Sequence, residues 1–157
     1  MKLIFIFSLS FILISCERVE LFPSTSEELL SNINSYKGNK AVLFNVWALW
    51  CVPCVEEFPM IAALDREYLD LEVIFISADF EEHMKEVKSF LQKNGVLSSF
   101  IKKEKDDSFI SGIHSDWSGS LPFTVVYSKE SGNIVDYWEG IMPESRFRMA
   151  IKIALKS

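Results

Sequence analysis

The run Trp47-Ala48-Leu49-Trp50-Cys51-Val52-Pro53-Cys54 constrains this chain more than any other part of it. Two cysteines three apart follow a nearly continuous apolar segment, Ala41 to Trp47, and precede a stretch with helical spacing of apolar residues. A buried strand that runs into the first turn of a helix brings both sulfurs to one side of the helix start. Unpaired N–H groups and the positive end of the helix dipole favour a thiolate there. The thiolate is the attacking species in thiol–disulfide exchange. The spacing therefore predicts a pair that cycles between dithiol and disulfide. Cys51 is expected as the exposed nucleophile, and Cys54, one turn further in, as the buried resolving thiol. The reading calls for no metal and no organic cofactor.

Other uses of two cysteines fit less well. A structural zinc site needs four ligands, and the remaining candidates, His83 and His114, are far apart in sequence. A purely structural disulfide across so short a loop constrains little of the unfolded chain. Chance pairing of two core cysteines is disfavoured if the protein is exported.

The N-terminus points to export. Met1-Lys2 is a short cationic start, and Leu3 to Ile14 is apolar apart from Ser8 and Ser10. That run is too short to span a bilayer as a helix, which takes about 20 residues. A charged start, a short apolar run and a small residue match an export signal. Leu13-Ile14-Ser15-Cys16 resembles the lipobox of bacterial lipoproteins. The resemblance implies cleavage after Ser15 and a diacylglycerol on Cys16, hence a lipid anchor in a bacterial cell envelope, facing the periplasm or extracytoplasmic space. It also leaves Cys51 and Cys54 as the two redox thiols among the three cysteines. The expected organisation is a signal peptide over 1–15, a tether over 16–25 and one domain over 26–157.

A length of 157 residues suits a single domain, and 49% hydrophobic residues supply its core. A formal net charge of -6 argues against nucleic acid as a partner. Lys102, Lys103 and Lys105 are interleaved with Glu104, Asp106 and Asp107, the pattern of a solvated loop.

Thr25 followed by Glu28 forms a capping pattern ahead of a helix with Leu29, Leu30, Ile33 and Tyr36 inward. Ala41–Trp47 and 71–78 read as buried strands. Between them, a helix from Cys51 to about Leu69 should kink at Pro59. Phe80, Met84, Val87 and Leu91 are spaced for one helix face, with Gly95 as its stop. A short strand near Phe100 and a turn of helix near Phe109 follow. Phe123–Tyr127 and 134–138 form a hairpin across Ser131-Gly132-Asn133, and Pro143 to Leu155 closes the chain as a helix. The sum is an α/β sandwich around a mixed sheet.

Trp50-Cys51-Val52-Pro53-Cys54, Pro59, and Gly119-Ser120-Leu121-Pro122-Phe123-Thr124 together resemble the thioredoxin superfamily. Glu57-Phe58-Pro59 brings the likeness closer to its membrane-anchored TlpA/ResA-type thiol–disulfide oxidoreductases. The resemblance implies a thioredoxin-like fold, with the helix from Phe80 to Asn94 belonging to a segment inserted before the strand that follows a cis-proline. It implies that Pro122 is that cis-proline and faces the cysteines, and that Trp50, Leu121 and Pro122 meet the substrate, which joins the loop as an added strand. It further implies that Glu57 tunes the thiols. Glu57 is three residues after Cys54, on one helix face with the pair, so a carboxyl pressed into an apolar site there could shuttle a proton. Where thioredoxins carry a buried aspartate six residues before the first cysteine, this chain has Asn45, which moves the proton role toward Glu57.

The activity so implied is an extracytoplasmic reductase of disulfides in exported proteins, for example apocytochrome c during cytochrome c maturation. A membrane electron-donor thiol protein would recharge it. Val52 and Pro53, with no histidine between the cysteines, favour the reducing direction. Two other functions compete. A thiol peroxidase of the redoxin type is suggested by the stretch from Asp79 to Val96, but the Thr-x-x-Cys setting of peroxiredoxins is missing. A non-catalytic metal-delivery or binding module would hold metal on Cys51 and Cys54, yet no Met-rich or His-rich tract supports it.

Overall fold

The computed structural model describes residues 18–157. The expected signal segment and the lipidation site Cys16 lie outside the described residues. The order of elements is β1 (Glu20–Ser24), α1 (Ser26–Asn34), β2 (Ala41–Trp47), α2 (Val52–Glu67), β3 (Leu71–Ser77), α3 (Met84–Lys93), β4 (Ser98–Lys102), α4 (Asp106–Ile113), β5 (Phe123–Tyr127), β6 (Ile134–Glu139) and α5 (Glu144–Ala154). One sheet carries all six strands in the order β1-β4-β3-β2-β5-β6. The first four in that order are mutually parallel, and β5 and β6 are antiparallel to their neighbours, so the sheet is mixed.

The central strand β2 is buried along its whole length because helices cover both faces. Leu43 and Trp47 face a core built with α2, α3 and α5. Val42, Phe44 and Val46 face a second core built with α1 and α4. Thr25 and Glu28 form the expected capping box at α1. Gly112 lets α4 close on α1, since a Cβ there would overlap the Ser26 side chain. Gly95 ends α3 with φ +71°, a conformation glycine adopts without steric cost. The fold is the thioredoxin-like α/β sandwich that the motifs implied.

Two local expectations need correction. The segment expected as a tether contributes β1, which pairs in parallel with β4 and buries Leu21. Pro23 is tolerated there because an edge strand has one side with no ladder partner to satisfy. Phe80 does not lie on the inward face of α3. It precedes a single 3-10 turn, Glu81–His83, and is 60% exposed. The cause is a polar turn after β3: Ser77 Oγ donates to Asp79 Oδ2 at 2.7 Å, and the Asp79 N–H donates back to Ser77 Oγ at 3.0 Å. The helix therefore starts only at Met84, with Val87 and Leu91 fully buried. As expected, α2 carries Pro59 inside it and runs on to Glu67. The missing N–H leaves the Val55 carbonyl without its usual helical donor.

Besides α3, the segment between β3 and β5 holds the strand expected near Phe100 and the helix expected near Phe109: β4 lies between β1 and β3, and α4 covers the second core. These elements reach the edge of the sheet where β2 and β3 end, which is where the cysteines lie.

Candidate active site

The site begins with the packing of α2. Phe58 stacks on Phe75 of β3 at 4.1 Å between ring centroids and meets Trp47 of β2 edge-on at 4.8 Å. Phe90 of α3 closes the cluster against both Trp47 and Phe58. These packed rings fix the helix against the sheet and so fix its N-terminus. Val52 and Pro53 occupy the first helical positions, where a proline loses no helical hydrogen bond.

Cys51 is the N-cap of α2 and forms a disulfide with Cys54. The Cys54 N–H donates to Cys51 Sγ at 3.3 Å. In the dithiol form the same contact, with the helix dipole, would favour a thiolate on Cys51. Cys51 is the more accessible of the two, but only in rank: the residues are 6% and 1% exposed. The expectation of an exposed nucleophile is corrected to that extent. The N-cap geometry folds the sulfur back over the helix start, whereas the flanking Trp50 and Val52 are 66% and 65% exposed.

Glu57 lies one turn beyond Cys54 and is 5% exposed, while its neighbour Glu56 is solvated. Neither Glu57 carboxylate oxygen makes a well-formed hydrogen bond. Burial pushes its pKa up to about 7, with the Met142 backbone and the Asn45 side chain pulling weakly the other way. Asn45 is buried, and its amide donates to Thr124 Oγ1 at 3.0 Å. It faces the α2 side of β2, as its alternation with Leu43 and Trp47 requires. The structure thus places a carboxyl able to change charge near neutral pH beside the resolving position.

The Leu121-Pro122 peptide bond is cis. The antiparallel register pairs Val46 with Phe123, which sets the start of β5, and Pro122 before it, beside the end of β2. Three contacts fasten the loop. The Trp117 Nε1–H donates to the Ser120 carbonyl at 2.9 Å, the Ser118 Oγ–H donates to Glu139 at 2.6 Å, and the Gly140 N–H donates to the Pro122 carbonyl at 2.8 Å. Trp117 also stacks on Phe123 at 4.7 Å.

One residue of the site had no sequence signal. Asp79 is 2% exposed, and its Oδ2 accepts the Leu49 N–H at 2.9 Å as well as the Ser77 hydroxyl. It anchors the loop that carries Trp50 and Cys51. An aspartate just after a strand resembles any turn residue until the fold brings that loop over it. Asp79→Ala is expected to lower stability by about 2 kcal/mol, because a buried N–H and a hydroxyl lose their acceptor. Urea unfolding measures this, and an unchanged midpoint would show that the anchor contributes nothing.

A sheet in this order, carrying a Cys-x-x-Cys disulfide at the start of the second helix and a cis-proline loop beside it, defines a thiol–disulfide oxidoreductase of the thioredoxin type. The chain belongs to the Redoxin family, which it matches over residues 20–145. It is 31% identical over 128 residues to the thioredoxin-like protein YneN of Bacillus subtilis, covering 78% of this chain and 69% of that one. It is 31% identical over 113 residues to the thiol-disulfide oxidoreductase ResA of the same organism, covering 72% of this chain and 60% of ResA. In fold it is similar to a thiol:disulfide interchange protein of Chlorobium tepidum, with a TM-score of 0.63 at 23% identity over 77% of this chain and 83% of the other. Among the described residues no helix is long and apolar enough to cross a membrane.

Proposed function

We propose that this protein reduces disulfides of exported proteins outside the cytosol, held to the bacterial membrane by a lipid on Cys16. The Cys51 thiolate attacks a target disulfide and forms a mixed disulfide, releasing one target thiol. Cys54 loses its proton and displaces the second target thiol, which leaves the Cys51–Cys54 disulfide and transfers two electrons to the target. Glu57 takes the proton from Cys54 in this step and returns it when a membrane thiol protein reduces the pair again. Trp50, Leu121 and Pro122 receive the target backbone as an added strand. Apocytochrome c is the target class that the ResA-type resemblance favours.

One observation carries the direction. The cysteines enclose Val52 and Pro53 at the N-terminus of α2, so no histidine adds to the helix in stabilising the Cys51 thiolate. A less stabilised dithiol is the better electron donor. Equilibration of the described domain with glutathione or dithiothreitol should give a midpoint more negative than about -220 mV, toward the thioredoxin value of roughly -270 mV. A midpoint near about -120 mV, the range of strong disulfide donors, would reverse the assigned direction.

A further inference from the structure

Beside the disulfide, the edge of the sheet carries a cleft that begins at Trp50 and Leu121 and extends beyond the residues assigned above to the target backbone. Three parallel strands end around it: β2 leads to Trp50, β3 to Ala78, and β4 ends at Lys102. Leu121, just before β5, closes the remaining side. In open α/β sheets, ligands bind in the crevice outside the carboxyl ends of the strands.

The cleft holds about 230 Å³. An apolar cavity of roughly 150 Å³ is enough for a benzene ring. Its walls are mostly apolar and include four aromatic rings, Trp50 and Phe80 at the rim and Phe109 and Trp117 deeper. Trp50 and Phe80 are 66% and 60% exposed, two large apolar rings held open to solvent within one cleft, whereas Phe109 and Trp117 are buried. Adjacent exposed rings of this kind mark an interaction surface. The charged groups in the wall neutralise each other. Lys102, with its side chain 6% exposed, pairs with Asp106 and sits 5.6 Å above the Phe80 ring. With that cation already paired, the cleft offers an anion little and an uncharged ring much.

We infer that this cleft is a specificity subsite that takes a large uncharged side chain, aromatic for preference, next to the reacting cysteine of the target polypeptide. The inference rests on the proposed exchange at Cys51. Trp50 directly precedes Cys51 and Leu121 directly precedes Pro122, so the residues that border the cleft also border the disulfide. A target chain delivering its cysteine to Cys51 along the Pro122 loop passes the mouth of the cleft. Phe80 and Lys102 come from the segment between β3 and β5. That segment, which builds the extra strand and helix, also shapes the choice of substrate.

The test uses the reduced protein and two synthetic peptides, each joined through its one cysteine to glutathione and differing only in Phe or Ser beside that cysteine. The second-order rate constant for the Phe peptide is expected to be about tenfold higher, the scale for burying one large apolar side chain. Phe80→Ala, an exposed position whose loss leaves both cores intact, should bring the ratio close to 1. Met149→Ala, on the far side of the domain in α5, should keep it. A ratio near 1 in the parent protein, or one that survives Phe80→Ala, overturns the subsite. So does a dimer that dissociates on Phe80→Ala, since a second copy would then be the occupant. Failure to reduce either peptide would instead sink the exchange reading, and this inference with it.

Discussion

Cys54→Ala stops the reaction halfway and leaves the protein covalently joined to its target through Cys51. With Cys54 gone, the mixed disulfide has no internal thiol to displace it and waits for an external one. Turnover with a protein disulfide should fall by about four orders of magnitude, the lower end of the scale seen when one member of a concerted catalytic set is removed. The adduct is read by non-reducing electrophoresis and by mass spectrometry of the linked peptide, which should contain Cys51. Cys51→Ala should form no adduct, and the double variant should match it. The asymmetry follows from the structure. Cys51 caps α2 and receives the Cys54 N–H, whereas Cys54 lies inside the first turn at 1% exposure. An adduct that accumulates on Cys54 in the Cys51→Ala protein, and not in the reverse case, would exchange the two roles. Fold stability is a small confounder, because a disulfide across so short a loop contributes little through chain entropy.

Much of this arrangement could be read from residues alone, and the exceptions have physical causes. Ala41–Trp47 was legible because a strand covered on both faces must be apolar throughout, and few other elements look like that. The capping box at Thr25 and the hairpin around Gly132 were legible because their signals are local. β1 was not, because Glu-Leu-Phe-Pro-Ser at a sheet edge buries only Leu21 and Ser24, with no alternation to read, and includes a proline. Its pairing with β4 depends on residues more than seventy positions away. Phe80 was misplaced because its spacing fits a helix face, while the Ser77–Asp79 turn delays the helix. The same turn hid Asp79, whose partner Leu49 belongs to another segment. The cleft beside Trp50 was illegible for a related reason: its lining residues come from four separate stretches of chain. Spacing identifies what sits on one helix or one strand. It does not reveal which loops meet at the end of a sheet.

Glu57→Gln should separate two effects that a carboxyl exerts on the cysteines. At 5% exposure, with no well-formed hydrogen bond to either oxygen, the carboxyl is neutral below about pH 7 and charged above it. The charged form can accept the proton of Cys54 but also repels a thiolate nearby. Replacement by a neutral amide removes both. Thiolate formation in the reduced protein, followed by absorbance near 240 nm, should therefore move to lower pH. Resolution of a preformed mixed disulfide on Cys51 should nonetheless slow about a hundredfold at neutral pH, the usual scale for losing a general base. It should also lose its rise through about pH 7. Stability of the oxidised protein, in which neither Cys51 nor Cys54 titrates, provides an independent measure. Between 4.5 and about 7 the folded protein keeps a proton on Glu57 that the unfolded chain has released. Stability then falls as pH rises through that window and levels off above it. The loss should be on the order of 2 kcal/mol after allowance for solvent screening, and absent from Glu57→Gln. Urea midpoints at pH 5 and pH 8 test it. Parallel pH dependences in the two proteins would place the Glu57 charge in water and remove it from the proton path.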